Sequence, residues 1–232
     1  MAIILKQVVP WGRSADEYCH MFALNEADLS YPILGVGDGP ASFNAELSSL
    51  GCNITSIDPI YAFTSQEIAQ RVEETSQDMI SQVWGDCDGF VWERFANPDD
   101  LGKARLKAMR LFLADFERGK QEGRYITASL PTLPFDDKRF DVALCSHLLF
   151  LYSEQLSLDF HLQSIQELCR VAREVRIFPL LDLARNKSVH IEPVSEHMQK
   201  LGYKVDICHV NYEFQRGGNH MMKISRVESA GN

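Results

Sequence analysis

Three glycines, Gly35, Gly37 and Gly39, crowd a short segment that directly follows an apolar run, and this feature constrains the fold most. The run over residues 31–36 predicts a short buried strand. Pro40 suits the first position of a helix, where its missing N–H costs nothing, and apolar residues then follow at helical spacing. The segment therefore predicts a strand that turns sharply into a helix, with glycines where the backbone turns tightly.

The rest of the chain repeats this alternation. A second strand is predicted over 53–57, followed by strands at 125–128, 140–146, 174–178, 204–214 and 220–227, with segments of helical period between most of them. Such alternation is typical of crossover units. It predicts an α/β fold: a Rossmann-like, doubly wound, mostly parallel seven-stranded sheet with an antiparallel C-terminal hairpin strand.

We interpret residues 1–232 as a single domain with two additions. Residues 1–30 are predicted to form an N-terminal helical lid segment. Residues 61–124 are predicted to form a helical insert between strands 2 and 3, because a capping box at Thr64 and a second helix start at Asn97 occur within it.

Composition excludes several classes of protein. The net charge of −9 argues against nucleic acid as a partner, because basic residues supply most of the affinity for phosphates. The sequence contains no apolar stretch long enough for a membrane span. Its six cysteines lack zinc-ligand spacing, so we predict no metal site and a reduced, cytoplasmic protein.

The glycine turn is a candidate binding site. Backbone N–H groups at the start of a helix after such a turn are expected to be free for a ligand. Asp58 follows the second strand, where a carboxylate can accept hydrogen bonds from a ribose diol. The alternative is that the glycines only make a tight turn and that Asp58 only caps the next segment.

The same residues resemble the first motif of class I S-adenosylmethionine-dependent methyltransferases, an apolar pair, an acid, one residue and then G-x-G-x-G. Residues 33–34 supply the pair, and Gly37 and Gly39 supply the first two glycines. Ala41 replaces the third glycine, and Gly35 replaces the acid. In the family that acid often helps to hold the methionine end of the cofactor, so its replacement bears directly on binding.

Further motifs extend the resemblance over most of residues 31–227. Asp58 matches the family's ribose-binding acid, and residues 133–142 are similar to the L-P-F-x-x-x-x-F-D-V run before the fourth strand. Ser129 stands where relatives usually have an Asp beside the adenine. Residues 145–148 follow at the end of strand four, which in relatives lines the pocket near the reacting methyl.

The resemblance implies S-adenosyl-L-methionine as cofactor and a small molecule as the methyl acceptor. His147 is the candidate catalytic residue, as a base or to position substrate; alternatively it only packs or caps. Trp11 could stack on the cofactor and Arg13 could pair with its carboxylate; alternatively Trp11 packs on the domain's flank. The residues assigned to the cofactor are Gly35, Val36, Gly37, Asp38, Gly39, Asp58, Pro59, Ser129, Leu130, Cys145, Ser146, Trp11 and Arg13.

Two other functions stay open on the sequence alone. The missing acid at Gly35 and the long insert allow a non-catalytic S-adenosylmethionine-binding or protein-interaction module. The glycine turn and Asp58 also allow an NAD-dependent oxidoreductase, although the chain has no room for a separate substrate domain and the terminal hairpin fits one poorly.

Overall fold

The structure, a computed structural model, describes residues 11–227. Seven strands form one sheet in this part of the chain. They are β1 (Ile33–Val36), β2 (Ile54–Ile57), β3 (Tyr125–Ile126), β4 (Phe140–Ser146), β5 (Ala172–Phe178), β6 (Tyr203–His209) and β7 (His220–Arg226). The helices are α1 (Ala15–Met21), α2 (Glu26–Leu29), α3 (Phe43–Ser49), α4 (Ser65–Trp84), α5 (Pro98–Gln121), α6 (Leu158–Val171) and α7 (Ile191–Lys200).

The strand order across the sheet is β3-β2-β1-β4-β5-β7-β6. Neighbouring strands from β3 to β5 pair in parallel, whereas β7 pairs antiparallel with both β5 and β6. The predicted seven-stranded sheet with an antiparallel C-terminal strand is thus confirmed. The order reverses between β1 and β4, and ligands of open α/β sheets bind at such a switch point, outside the carboxyl ends of the strands.

Apolar clusters cover both faces of the sheet, which confirms the doubly wound arrangement. On one face, Leu34 and Val175 pack in a cluster with Leu168 of α6 and Val194 of α7. On the other face, Ile33 packs in a cluster with residues of α1 and α3. These helices bury their apolar stripes against the alternating side chains of the strands.

Helices also fill the segment between β2 and β3, as predicted. Helix α4 begins with a capping box in which Thr64 and Glu67 each accept the other's backbone N–H. Helix α5 begins at Asn97, whose side chain accepts from the backbone of Asp100, with Pro98 in the first turn. The two helices pack on each other, and α5 also contacts α3 and β3.

Helix α3 starts later than the sequence suggests. Pro40 is not its first residue, because the N–H of Ala41 bonds to the carbonyl of Asp38 at 3.3 Å and places Pro40 inside a turn. Ser42 is the N-cap residue of the helix. Gly51, predicted to end this helix in a left-handed conformation, has φ of +89°.

The connection between β6 and β7 also differs from the prediction. We expected a strand over 204–214, but β6 ends at His209. Tyr212 and Phe214 leave the sheet instead, and Phe214 stacks on Phe90 with ring centroids 4.7 Å apart. Burial of these aromatic rings outweighs continuation of the strand pairing.

No helix within residues 11–227 combines the length and the apolar character that a membrane crossing requires.

Candidate functional site

A cavity of about 780 Å³ lies at the carboxyl ends of β1, β2 and β4, where the strand order reverses. It is large enough for a small molecule or cofactor. Every residue that the sequence assigned to the site lines this cavity, except Gly35 and Cys145. The predicted site residues on the cavity wall are Trp11, Arg13, Val36, Gly37, Asp38, Gly39, Asp58, Pro59, Ser129, Leu130, Ser146 and His147.

The glycine turn forms one wall of the cavity. Gly37 and Gly39 have φ of +72° and +53°, the left-handed region in which other residues are strained. The N–H of Gly37 donates to the carbonyl of Ile57 at 3.0 Å, and that of Gly39 donates to the Asp58 carboxylate at 2.9 Å. The expectation of free amides is therefore wrong at these two glycines, because neighbouring groups of the protein already accept from them.

Asp58 borders the cavity and also anchors the turn. Its Oδ2 accepts from Gly39, and its Oδ1 accepts from the N–H of Ile60 at 2.9 Å. Burial raises the pKa of this carboxyl, although the two backbone hydrogen bonds oppose the shift. Each carboxylate oxygen has a further lone pair for a ligand hydroxyl. The Asp58 carboxylate can therefore accept from these backbone groups and from a ligand at the same time, although the sequence alone presented capping and ligand binding as alternatives.

Asp38 occupies the space of the acid that is missing at Gly35. A Cβ atom at Gly35 would lie 1.9 Å from the Asp38 carboxylate. That carboxylate accepts from the Tyr18 hydroxyl at 2.8 Å and from the Ser56 hydroxyl at 2.6 Å. Its burial outweighs these two bonds and, together with the nearby charge of Asp58, raises the pKa of Asp38 to about 7. Gly35 thus does not contact the cavity but makes room for a carboxylate that does.

Cys145 is not part of the cavity wall. Its side chain is completely buried in the apolar cluster between the sheet and α6, and burial raises its pKa to about 12. The assignment failed because successive strand residues point to opposite faces of a sheet. Cys145 therefore packs in the core, whereas Ser146 lines the cavity.

His147 follows β4 with φ of +52° and lines the cavity. Its N–H donates to the carbonyl of Phe178 at 2.7 Å, and its Nδ1 lies 3.0 Å from the Ser146 hydroxyl. Burial, followed by the charges of Arg13 and Arg105, lowers the pKa of His147 well below its ordinary value. The imidazole is therefore neutral near pH 7, a form that can accept a proton or a hydrogen bond.

A cluster of three buried polar residues, one of which lowers the pKa of His147, was not found from the sequence. Arg105 of α5 lies 2.5 Å from the carboxylate of Glu17, which also accepts from the Tyr212 hydroxyl at 2.8 Å. Burial alone would raise the pKa of Glu17, but Arg105 outweighs it and holds the value at about 2. The sequence contained one signal of this cluster: Arg105 lies on the apolar stripe of α5, between Leu101 and Ala108, where a charged side chain is buried.

Trp11 and Arg13 lie between the insert and the cavity. The Trp11 ring packs against an apolar cluster that includes Val83 and Leu101, with the Arg105 guanidinium 5.9 Å from its centroid. Arg13 donates to the Trp11 carbonyl at 3.4 Å. Trp11 therefore packs on neighbouring helices and also borders the cavity, and its stacking on a cofactor stays a prediction.

The strand order with its antiparallel β7, together with a cavity at the switch point, is the arrangement that the resemblance to class I methyltransferases implies. The chain is 36% identical over 223 residues to an uncharacterized protein of Methanocaldococcus jannaschii, MJ0045, a match that covers 96% of this chain and 98% of that protein. The chain belongs to the same family as that protein. No protein-family model matches it.

Solved structures give distant likenesses. Magnesium protoporphyrin IX methyltransferase from Synechocystis, crystallised with bound S-adenosylmethionine, matches with a TM-score of 0.48 and 12% identity, over 92% of this chain and 78% of that one. A SAM-dependent methyltransferase from Aquifex aeolicus matches with a TM-score of 0.43 and 13% identity, over 90% of each chain.

Proposed function

We propose that this protein is an S-adenosylmethionine-dependent methyltransferase that acts on a small-molecule acceptor. The observation that carries the proposal is the pair of carboxylates, Asp38 and Asp58, on the wall of one cavity beside the glycine turn. Asp58 follows β2, at the place of a ribose-binding acid. Asp38 fills the space of the acid that the first motif lacks at Gly35.

The residues present suit the parts of the cofactor. Asp58 would accept hydrogen bonds from the ribose hydroxyls, and Asp38 would accept from the ammonium group of the methionine end. Ser129 and Leu130, with Pro59, would enclose the adenine. The buried Asp38 carboxylate supports this fit, because a buried charge is costly unless a partner of opposite charge joins it.

Methyl transfer requires mainly alignment from the protein. When bound, S-adenosylmethionine supplies a sulfonium methyl, whose carbon bonds to the acceptor's nucleophile while the C–S electron pair remains on sulfur. The glycine turn and Asp58 would hold the cofactor at the carboxyl end of β1. His147 would orient the acceptor, and its neutral imidazole would take the proton if the nucleophile loses one.

Calorimetric titration tests the proposal. We expect S-adenosylhomocysteine to bind one-to-one, and we expect NADH to show no binding at the same concentrations. The absence of S-adenosylhomocysteine binding at millimolar ligand would refute the cofactor assignment. Transfer of a labelled methyl group to small molecules of a cell extract then tests catalysis and separates an enzyme from a non-catalytic binding module.

Asp38 gives cofactor binding a specific pH dependence. Because its pKa is about 7 without ligand and an ammonium partner favours the ionised form, affinity should rise with pH between 5 and 7. The slope should approach about tenfold per pH unit, as expected for release of one proton. Asp38→Asn should abolish this slope and weaken binding of S-adenosylhomocysteine.

The free energy of unfolding tests the raised pKa of Asp38 independently, because stability should fall with rising pH whereas ligand affinity should rise. The folded pKa of Asp38 lies above the ordinary value of 3.8, so stability declines as pH rises from about 4 to 7. Asp38→Asn should therefore be more stable than wild type at pH 8, by up to about 4 kcal/mol.

A second pair of variants moves the carboxylate from position 38 to position 35. Asp38→Ala should lose affinity for S-adenosylhomocysteine, and adding Gly35→Asp to it should restore part of that affinity. Equal affinities of all these variants would contradict the role of Asp38.

A further inference from the structure

A second, smaller cavity of about 100 Å³ also borders His147. Trp11, Arg13 and Leu151 border both this cavity and the large one. Its remaining walls come from three separate segments: the insert, residues 178–185 at and after the end of β5, and the connection between β6 and β7. A space that shares His147 with the cofactor cavity is positioned to receive the methyl acceptor, so this inference rests on the proposed function.

Five aromatic side chains line this second cavity: Trp11, Phe90, Phe178, Tyr212 and Phe214. Phe90 of the insert and Phe214 of the β6–β7 connection stack, and their segments are joined by a backbone hydrogen bond of 2.8 Å from Val91 to the Phe214 carbonyl. Phe178 and Tyr212 pack edge to face with centroids 5.8 Å apart. Flat apolar ligands suit such walls, because aromatic rings pair with centroids about 4.5–7 Å apart.

Two guanidinium groups among these rings have donors without an acceptor. The side chain of Arg105 is 3% exposed, and its Nη1 donates to the Glu17 carboxylate at 2.5 Å. Its Nη2 is buried and has no hydrogen-bond partner within residues 11–227, and the same holds for Nε of Arg13. A buried donor of a charged group that has no acceptor destabilises the folded protein. The Nη2 of Arg105 and the Nε of Arg13 therefore indicate a position where an acceptor can bind.

The charges around the cavity leave an excess of positive charge. Arg185 is paired with Asp86 and Arg105 with Glu17, whereas Arg13 forms no ion pair within residues 11–227 and only feels the charge of Glu17. Besides burial, Arg13 and Arg105 account for the lowered pKa of His147, and Arg105 lowers the pKa of Arg13. A negative charge bound here would offset this repulsion.

We infer that the methyl acceptor is an anion, with a carboxylate or phosphate oxyanion on a flat apolar body, and that Arg105 binds its oxyanion through Nη2. Arg105 does not line the large cavity; it lines the second cavity and also a groove between α4 and α5. We assign the contact to the second cavity because His147 borders that cavity and does not border the groove. Planar guanidinium groups bind both oxyanions with matched geometry. The bound anion also raises the pKa of His147 and thereby makes the imidazole a better base.

Benzoate, phenyl phosphate and uncharged benzamide serve as probes, titrated into the protein with and without S-adenosylhomocysteine. We expect at least one anion to bind about tenfold or more tightly than benzamide and to raise the pKa of His147, measured by NMR of its imidazole. The tighter of the two anions identifies the oxyanion. Binding of benzamide as tightly as both anions, or no binding of either anion, would overturn the inference.

Arg105→Lys is the matched variant, because a lysine keeps the charge opposite Glu17 but has a single nitrogen and therefore no group at the position of Nη2. We expect it to weaken anion binding about tenfold and to leave the affinity for S-adenosylhomocysteine unchanged. Unchanged anion binding would exclude Arg105 as the contact. If S-adenosylhomocysteine fails to bind while the anions still bind through Arg105, the cofactor assignment fails and the oxyanion site stands.

Discussion

Replacement of Asp58 by alanine should reduce the affinity for S-adenosylhomocysteine about 100-fold. The carboxylate is expected to accept hydrogen bonds from two ribose hydroxyls, and a hydrogen bond to a charged group contributes about 1.5–3 kcal/mol. The same change removes the acceptor that the Gly39 N–H uses at 2.9 Å, so the glycine turn also loses an anchor. Calorimetric titration of wild type and variant at pH 8, where Asp38 is ionised, measures the effect.

Asn97→Ala is the matched control for Asp58→Ala. Asn97 also caps a helix through its side chain, accepting the N–H of Asp100 at 2.9 Å, but it is not among the residues that line the cavity. Its loss should lower stability by about 1 kcal/mol and leave ligand affinity unchanged. Retention of affinity within about threefold in Asp58→Ala would show that this carboxylate does not bind the ribose.

Replacement of Glu17 by glutamine should lower the free energy of unfolding at pH 7 by about 3–5 kcal/mol. Glu17 and Arg105 form an ion pair whose side chains are 6% and 3% exposed, and removal of one charge leaves the other buried without a counter-ion. Urea denaturation monitored by circular dichroism measures the difference. The glutamine side chain has nearly the same volume, so the loss of stability reports on charge rather than on packing.

The pH dependence of this difference has a definite sign. The folded pKa of Glu17, about 2, lies below the ordinary value of 4.5, so its contribution to stability is present above pH 4.5 and is lost as pH falls toward 2. The difference in the free energy of unfolding between Glu17→Gln and wild type should therefore become smaller at acidic pH. Tyr212→Phe removes only a hydroxyl that donates to Glu17 at 2.8 Å and should cost about 1 kcal/mol. Equal losses in the two variants would contradict the charge argument.

Local signals in the chain predicted most of the architecture. The strand over 140–146 has the bounds that the sequence indicates, and the capping box at Thr64 and the cap at Asn97 start their helices. These signals are reliable because caps and apolar periods involve contacts between residues that are close in sequence. The start of α3 was missed because a turn through Pro40 depends on a hydrogen bond that only the folded turn reveals.

The sequence predicted those residues of the candidate site whose position at the end of a strand is enough to place them at the cavity. Asp58 and the glycines follow directly on β2 and β1, so their place at the carboxyl edge follows from the parallel sheet. Cys145 was assigned wrongly because the alternation of side chains along β4 places it on the face that packs against α6, and the sequence does not show which face borders the cavity. Glu17 and Tyr212 are far apart in sequence, and no local pattern connects them to Arg105.

The sequence by itself therefore determined the succession of strands and helices along the chain and the edge of the sheet at which the cavity lies, since these depend on local periodicity and turn chemistry. Only the tertiary structure decided that the Asp38 carboxylate fills the space left by Gly35, and that two arginines from distant segments converge beside His147. Both arrangements depend on distances between atoms of separate elements, and those distances are set when the elements pack together.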